Sequence, residues 1–218
     1  LIPLMMVSLI IVILTNERSA SIMFFFTLLI FFIFFNKKFL SKFLIIITVF
    51  VIVFSLFNNN TGLKNHFLDV PIKAFKDNHH KAHYLTAIEI FKEHKILGSG
   101  VKTFREICKK EKYELINSKF SKNRCSTHPH NIYFEILSDT GFLGLIIFFI
   151  LNTYILFYLI IKFYVQEKLK VEILILFCNF FILFWPLQTT GAFFSTWNGT
   201  FYWIFFSYFF YYRRKLTV

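Results

Sequence analysis

The residues able to do acid–base or ion-binding chemistry fall in three short segments, and all seven histidines lie between His66 and His130. The densest segment is Thr127-His128-Pro129-His130-Asn131, followed by Glu135 and Asp139. Imidazole titrates near neutrality and is the usual general base. Two histidines at the mouth of an apolar helix, with two carboxylates on one helix face, fit general-base chemistry. The plainer reading is solvated interface histidines, with Glu135 and Asp139 orienting an imidazole or capping and solvating the helix start. The second segment is Thr15-Asn16-Glu17-Arg18-Ser19-Ala20, a charged break between apolar runs. Arg18 cannot lose its proton, so beside lipid it either snorkels to headgroups or forks onto a phosphate or pyrophosphate. In the third segment, Ile96-Leu97-Gly98-Ser99-Gly100-Val101-Lys102-Thr103-Phe104, the G-x-G reads first as a turn and second as a close backbone approach to a ligand.

Cysteine usage adds one constraint. Cys178 sits inside an apolar run and reads as packing. Cys108 and Cys125 share one polar loop, so an oxidising compartment predicts a disulfide between them, worth about 3 kcal/mol in the chain-entropy model. A zinc site on Cys125-x-x-His128-x-His130 lacks a second nearby Cys/His pair to complete a tetrahedron, so no metal is expected.

These segments must be positioned by an apolar scaffold. Of the 218 residues, 56% are hydrophobic, 34 are Phe and 17% are charged. A soluble domain carries roughly 45–50% apolar and about 25% charged residues. Lipid must therefore cover part of this chain, and the disordered, collagen-like and disulfide-scaffold classes are excluded. Apolar runs cover Leu1–Leu14, Ser19–Phe35, Phe39–Phe57, Ile132–Ile161, Val171–Leu187 and Thr200–Tyr212. A bilayer core needs roughly 20 such residues per helix. The fold expected is all-α and polytopic, with about six transmembrane helices. The fourth helix is expected to start later than Ile132, because Asp139, Gly141 and Gly144 sit near its beginning. The chain opens inside an apolar run and reads as the C-terminal part of a longer protein.

The formal charge of +12 resolves into orientation signals and one loop. Lys37 and Lys38, then Lys162, Lys168 and Lys170, then Arg213, Arg214 and Lys215 all fall on one side if the runs alternate, and the positive-inside rule makes that side cytoplasmic. This leaves residues 1–57 as helices one to three with a short Arg-containing loop, 58–131 as one large, mostly helical outer loop, and 132–218 as helices four to six. The loop holds an excess of seven positive charges. It is suited to an anionic partner above a membrane rather than to nucleic acid. Apolar spacing at Leu85, Ile88 and either Phe91 or Ile90 predicts a helix over Tyr84–His94 stopped by Gly98-Ser99-Gly100, and a second short helix is expected over Thr103–Glu111.

The stretch His130-Asn131-x-x-x-Glu135-x-x-x-Asp139-x-Gly141-x-x-Gly144 resembles the hallmark of the O-antigen ligase and polymerase superfamily. Ala87 to Phe104, a helix followed by Gly98-x-Gly100-x-x-x-Phe104, and the loop Glu17-Arg18-Ser19-Ala20 are similar to two further elements of that family, in the same order. The resemblance implies a multi-pass enzyme of the bacterial inner membrane, its large loop in the periplasm. It would pass a glycan from undecaprenyl diphosphate to an acceptor hydroxyl, with no metal or other cofactor. The acceptor would be lipid A–core for a ligase, and another lipid-linked repeat for a polymerase. His130 would be the catalytic base and Arg18 would hold the donor pyrophosphate, with His128, Asn131 and Glu135 at the substrate. The family often carries a second Arg at the start of the loop helix; this chain has His83 there, and Lys81, His83 or Arg105 would take its place. A transporter fragment is the alternative from another class, but the spans are almost free of mid-membrane charge.

Overall fold

A computed structural model describes residues 2–15, 17–35, 47–48, 51, 54–55, 61–65, 67, 79–114 and 124–216. Most of the run predicted over Phe39–Phe57 lies outside them, as do Lys37, Lys38, Lys42, Asn16 and His66. Among the described residues the chain is all-helical. It divides into two compact units, Leu1–Asp77 with Glu167–Cys178, and Asn78–Gln166 with Asn179–Val218.

In the first unit, α1 (Ile2–Leu14) and α2 (Arg18–Phe35) form a helical hairpin. Leu9, Ile13, Met23, Leu28, Phe31 and Phe32 are buried, while Val7, Ile11, Ile22, Ile33 and Phe34 are exposed. Helices that are apolar on every side present no water-facing stripe. The tight junction is held by hydroxyls: Thr15 Oγ1 donates to the Val12 carbonyl at 2.7 Å, and Ser21 Oγ to the carbonyls of Glu17 at 2.8 Å and Val12 at 3.2 Å. Arg18 stands in the first turn of α2. A cation there opposes the helix dipole, so Arg18 does not serve the stability of α2.

The second unit is built around α3 (His79–Glu93) and α5 (Ile132–Val165), with the one-turn helix α4 (Phe104–Ile107) and a 3-10 turn over Glu111–Tyr113 between them. Ala87, Ile90, Phe104, Cys108 and Tyr113 form a buried cluster bordered by Ile107, Cys125 and Phe134. Cys108 and Cys125 are joined in a disulfide with Cα atoms 5.3 Å apart. Tyr113 Oη donates to Glu93 at 2.6 Å, and Arg124 Nε donates to the Cys108 carbonyl at 3.1 Å. Tyr84 stacks on Phe134 with ring centroids 4.6 Å apart, fixing α3 against the start of α5.

The start of α5 corrects the expectation of a late cap. The helix begins at Ile132, because Asn131 is its N-cap and its side chain accepts from the Tyr133 and Phe134 amides. Gly141 does not mark the beginning; it breaks the helix internally, at φ 68 and ψ −163. The glycine pair Gly98 and Gly100 completes that break. In an unbroken helix the amides of Phe142 and Leu143 would donate to Ser138 and Asp139. Here they donate to the carbonyls of Lys95 at 2.8 Å and Ile96 at 3.2 Å. The carbonyls of Ser138 and Asp139 accept instead from Ser99 and Gly100, each at 2.9 Å. Two helical bonds are thus exchanged for four bonds to the loop, so the Gly98-Ser99-Gly100 segment is a docked strap rather than only a turn. A Cβ on Gly98 would lie 2.3 Å from backbone atoms of Asp139 and Thr140, and one on Gly141 2.5 Å from Gly98 N and Ile96 O.

Beyond the break, α5 runs on through exposed Phe142, Ile146, Ile147, Phe149, Ile150 and Phe157. Among the described residues, Ile132–Val165 is the one helix long and apolar enough to cross a membrane. After α6 (Lys170–Leu183), the final helix α7 (Thr196–Leu216) meets α5 through rings, with Tyr202 6.2 Å from Phe148 and Tyr158 5.6 Å from Phe209. The buried Asn152 amide donates to Tyr202 Oη at 3.2 Å, satisfying a polar pair inside an apolar contact.

Candidate functional site

His130 precedes the N-cap of α5 and has φ 61, a left-handed conformation that His tolerates better than most residues. Buried Pro129 on one side and the α5 cap on the other force the chain through this tight corner. The corner is pinned from outside, because the Thr190 amide donates to the His130 carbonyl at 2.9 Å. The ring Nε2 meets Ser126 Oγ at 2.9 Å. Around it stand three more imidazoles, with centroids 4.1 Å away for His128, 4.9 Å for His80 and 5.2 Å for His83. Burial first, and then the neighbouring His128, His80 and His83, push the His130 pKa down to about 4. Its imidazole is therefore neutral at pH 7 and holds a lone pair.

His128 is held differently. Its Nε2 lies 3.0 Å from the Thr190 carbonyl and its Nδ1 2.9 Å from Thr127 Oγ1. A carbonyl only accepts, so Nε2 carries the hydrogen and Nδ1 accepts from the threonine hydroxyl. Burial lowers its pKa as well, opposed by the bond to Thr190.

Asn131 and Glu135, read as substrate contacts, both hold backbone. The Asn131 amide donates to the carbonyls of Pro186 at 2.8 Å and Gln188 at 3.3 Å while its oxygen caps α5, which leaves the side chain fully used. Glu135 is 2% exposed and accepts from the amides of Phe193 at 2.8 Å and Phe194 at 3.3 Å. Asp139 is 1% exposed and accepts from the Lys102 amide at 2.7 Å. The expectation that these carboxylates orient a histidine or solvate the helix start is corrected: each ties a loop to α5. The tie at Glu135 draws Phe193 and Phe194 onto α5.

These ties enclose a cleft of about 340 Å³ lined by Lys102, Arg105, Thr127, His128, Ser195 and Thr196, with Glu135 and Asp139 at its wall. Arg105 and Lys102 are exposed and give its mouth positive charge. His83 is buried on α3 against His130, whereas Lys81, two positions earlier, is exposed on a different face of the helix. Arg18 belongs to the first unit. The structure thus brings His130, His128, His83 and His80 into one cluster beside the cleft that Arg105 lines.

A family model described as O-antigen ligase matches residues 3–149, from α1 to just past the glycine break in α5. The chain belongs to the O-antigen ligase family. This is a family of membrane proteins that act as ligases or polymerases on glycans, with lipid-linked glycans and glycan acceptors as partners in general. No curated protein and no solved structure matches the chain. Within this family member, the matched stretch ends before residues 188–195, so the loop held by Glu135 and Asn131 lies beyond it. Neither Thr190, which touches both His128 and His130, nor Ser126 carried a sequence signal. His80 carried only its i, i+3 spacing from His83.

Proposed function

We propose that the protein is a periplasm-facing glycosyltransferase of the bacterial inner membrane. It moves a glycan from undecaprenyl diphosphate to an acceptor hydroxyl, the acceptor being lipid A–core. The organisation that goes with this reading is six spans within residues 1–57 and 132–218, and the periplasmic loop over residues 58–131. The observation that carries it is the neutral, anchored His130 beside a cationic cleft in a chain of the O-antigen ligase family. The acceptor oxygen attacks the anomeric carbon, and the carbon–oxygen bond to the diphosphate breaks. The acceptor proton passes to the His130 lone pair, and undecaprenyl diphosphate leaves with the bonding electrons. Diphosphate is already a good leaving group, so the protein's remaining task is to place cations at the developing charge. The family resemblance gives Arg18 that role, and within the second unit Arg105 lines the cleft with Lys102. Asn131 and Glu135 act as positioning residues.

The test is transfer from an undecaprenyl-diphosphate-linked glycan to lipid A–core, comparing wild type with His130→Ala and His130→Gln. A loss of about 10²-fold or more with normal membrane insertion is expected. Wild-type rates in both variants remove His130 from the chemistry. Wild-type activity only on a lipid-linked repeat as acceptor replaces ligation by polymerisation.

A further inference from the structure

His80, His83 and His130 each offer a ring nitrogen, and these three atoms all lie within 4.8 Å of one another. We infer that the three imidazoles form a binding site for a divalent transition-metal cation such as Zn²⁺ or Co²⁺. The inference does not depend on the glycosyl-transfer reading, because occupancy is measured directly.

The ligands come from two elements that are each held in place. His80 and His83 are three apart on α3 and so project from the same face, with ring centroids 5.9 Å apart. That helix is anchored by Ala87 and Ile90 in the buried cluster beside the disulfide. His130 is fixed by the Thr190 amide on its carbonyl and by the Asn131 cap that follows. Ligands presented from anchored elements need little ordering on binding. Tetrahedral Zn–N bonds of 2.0–2.1 Å put ligand nitrogens about 3.4 Å apart. The triangle closes to that size by side-chain rotations of the order of an ångström.

The donor set selects the ion. Neutral imidazoles suit zinc, cobalt, nickel and copper, whereas magnesium and calcium require oxygen ligands. Glu135 and Asp139 face backbone amides, and His128, though adjacent, has both ring nitrogens bonded to Thr190 and Thr127. Along the sequence no second Cys/His pair lies close to Cys125, His128 and His130. The fold supplies one from α3, while Cys125, the other ligand considered there, is held in the disulfide. Three histidines leave a fourth position open to water or an anionic oxygen. A coordinated His130 has no lone pair for a proton, so occupancy of this site and general-base action by His130 exclude each other.

The test uses the full chain, tag-free and chelator-stripped, in detergent or nanodiscs. Cobalt is titrated by visible absorption and zinc by calorimetry. One Co²⁺ per chain with tetrahedral ligand-field bands is expected, unaffected by excess Mg²⁺. His80→Gln and His83→Ala are each expected to weaken binding at least about tenfold, as loss of a metal ligand does. His128→Ala is expected to leave it within twofold of wild type. His83 is buried, so if His83→Ala misfolds, the half-buried His80→Gln carries the test by itself. Absence of binding in the wild type, or binding that survives His80→Gln, overturns the site. A chain that binds cobalt through these ligands yet transfers no glycan in metal-free buffer keeps the site and refutes the proposed function. Transfer with no metal binding refutes the site alone.

Discussion

Gly141→Ala tests whether the exchanged hydrogen bonds between the glycine strap and α5 hold the site together. Gly141 has φ 68 and ψ −163, a region open essentially to glycine, and alanine there costs about 1–3 kcal/mol in strain. The added Cβ would also lie 2.5 Å from Gly98 N and Ile96 O, which are backbone atoms that cannot rotate away. The strap must lift, and with it bonds worth about 0.5–1.5 kcal/mol each; losing two adds about 1–3 kcal/mol. The sum is about 2–6 kcal/mol, which at roughly 2–4 °C per kcal/mol for a chain of this size lowers the unfolding midpoint by about 10 °C at the centre of that range. The assay is thermal unfolding in detergent followed by size-exclusion fluorescence, with Gly199→Ala as control. Gly199 lies inside α7, where its Cβ would sit an ordinary 3.4 Å from the Phe193 carbonyl, so no loss is expected there. Gly98→Ala, at φ +70 and 2.3 Å from Asp139, breaks the same contact, so the double variant should lose less than the sum of the singles. A Gly141→Ala midpoint within about 2 °C of wild type, or additive losses, refutes the reasoning.

Three further outcomes follow from the geometry. Replacing Cys108 and Cys125 by serine should cost about 3 kcal/mol, and alkylation of exported protein before and after reduction should reveal two protected thiols. Glu135→Ala leaves the Phe193 and Phe194 amides without their acceptor and should destabilise by about 2–4 kcal/mol, while Glu135→Gln, which keeps one acceptor oxygen, should lose less; both are read by the same thermal assay. With a chelator present, histidine NMR should show the His130 ring neutral down to about pH 4. The sign follows from burial disfavouring the cation: at pH 6 about 99% of the ring is neutral, against about 24% for an unperturbed imidazole. The unfolded chain takes up that proton near pH 6.5 and the folded chain only near 4, so this group's effect is to lower stability as pH falls through that window. A His130 titration midpoint near 6.5 would refute the burial argument.

How far the sequence reached differs from element to element. Hydropathy and helical spacing located α1 and α2 closely, because both are properties of neighbouring positions and need no knowledge of the fold, whereas α3 begins at His79 rather than Tyr84, α6 ends at Leu183 rather than Leu187, and α7 extends over Thr196–Leu216. The order of the Arg18, Gly98–Phe104 and His130–Gly144 segments carried the family, and the spacing of Cys108 and Cys125 within one polar loop suggested their pairing. The same local reasoning misplaced the start of α5. Gly141 looks like a helix boundary, and only the strap from Lys95 to Gly100 supplies the donors and acceptors that let the helix continue past it.

Which side chains share a site was decided by tertiary structure. Glu135 and Asp139 have the spacing of paired catalytic carboxylates, but both are buried, and a buried charge is tolerated only with hydrogen-bond donors around it. Here the donors are backbone amides of distant loops, a fact that no local pattern records. His80 and His83 lie far from His130 along the chain, and their convergence requires α3 to be fastened to the start of α5 by Tyr84 on Phe134 and by the buried cluster beneath them. By itself the sequence determined the apolar, all-helical class and the family, and it singled out His130 as the base to propose, since composition, order and residue type are already present in the chain. Only the packed chain decided that His130 is neutral, that the carboxylates hold loops, and that three imidazoles meet, because burial and proximity exist only once distant segments have closed on one another.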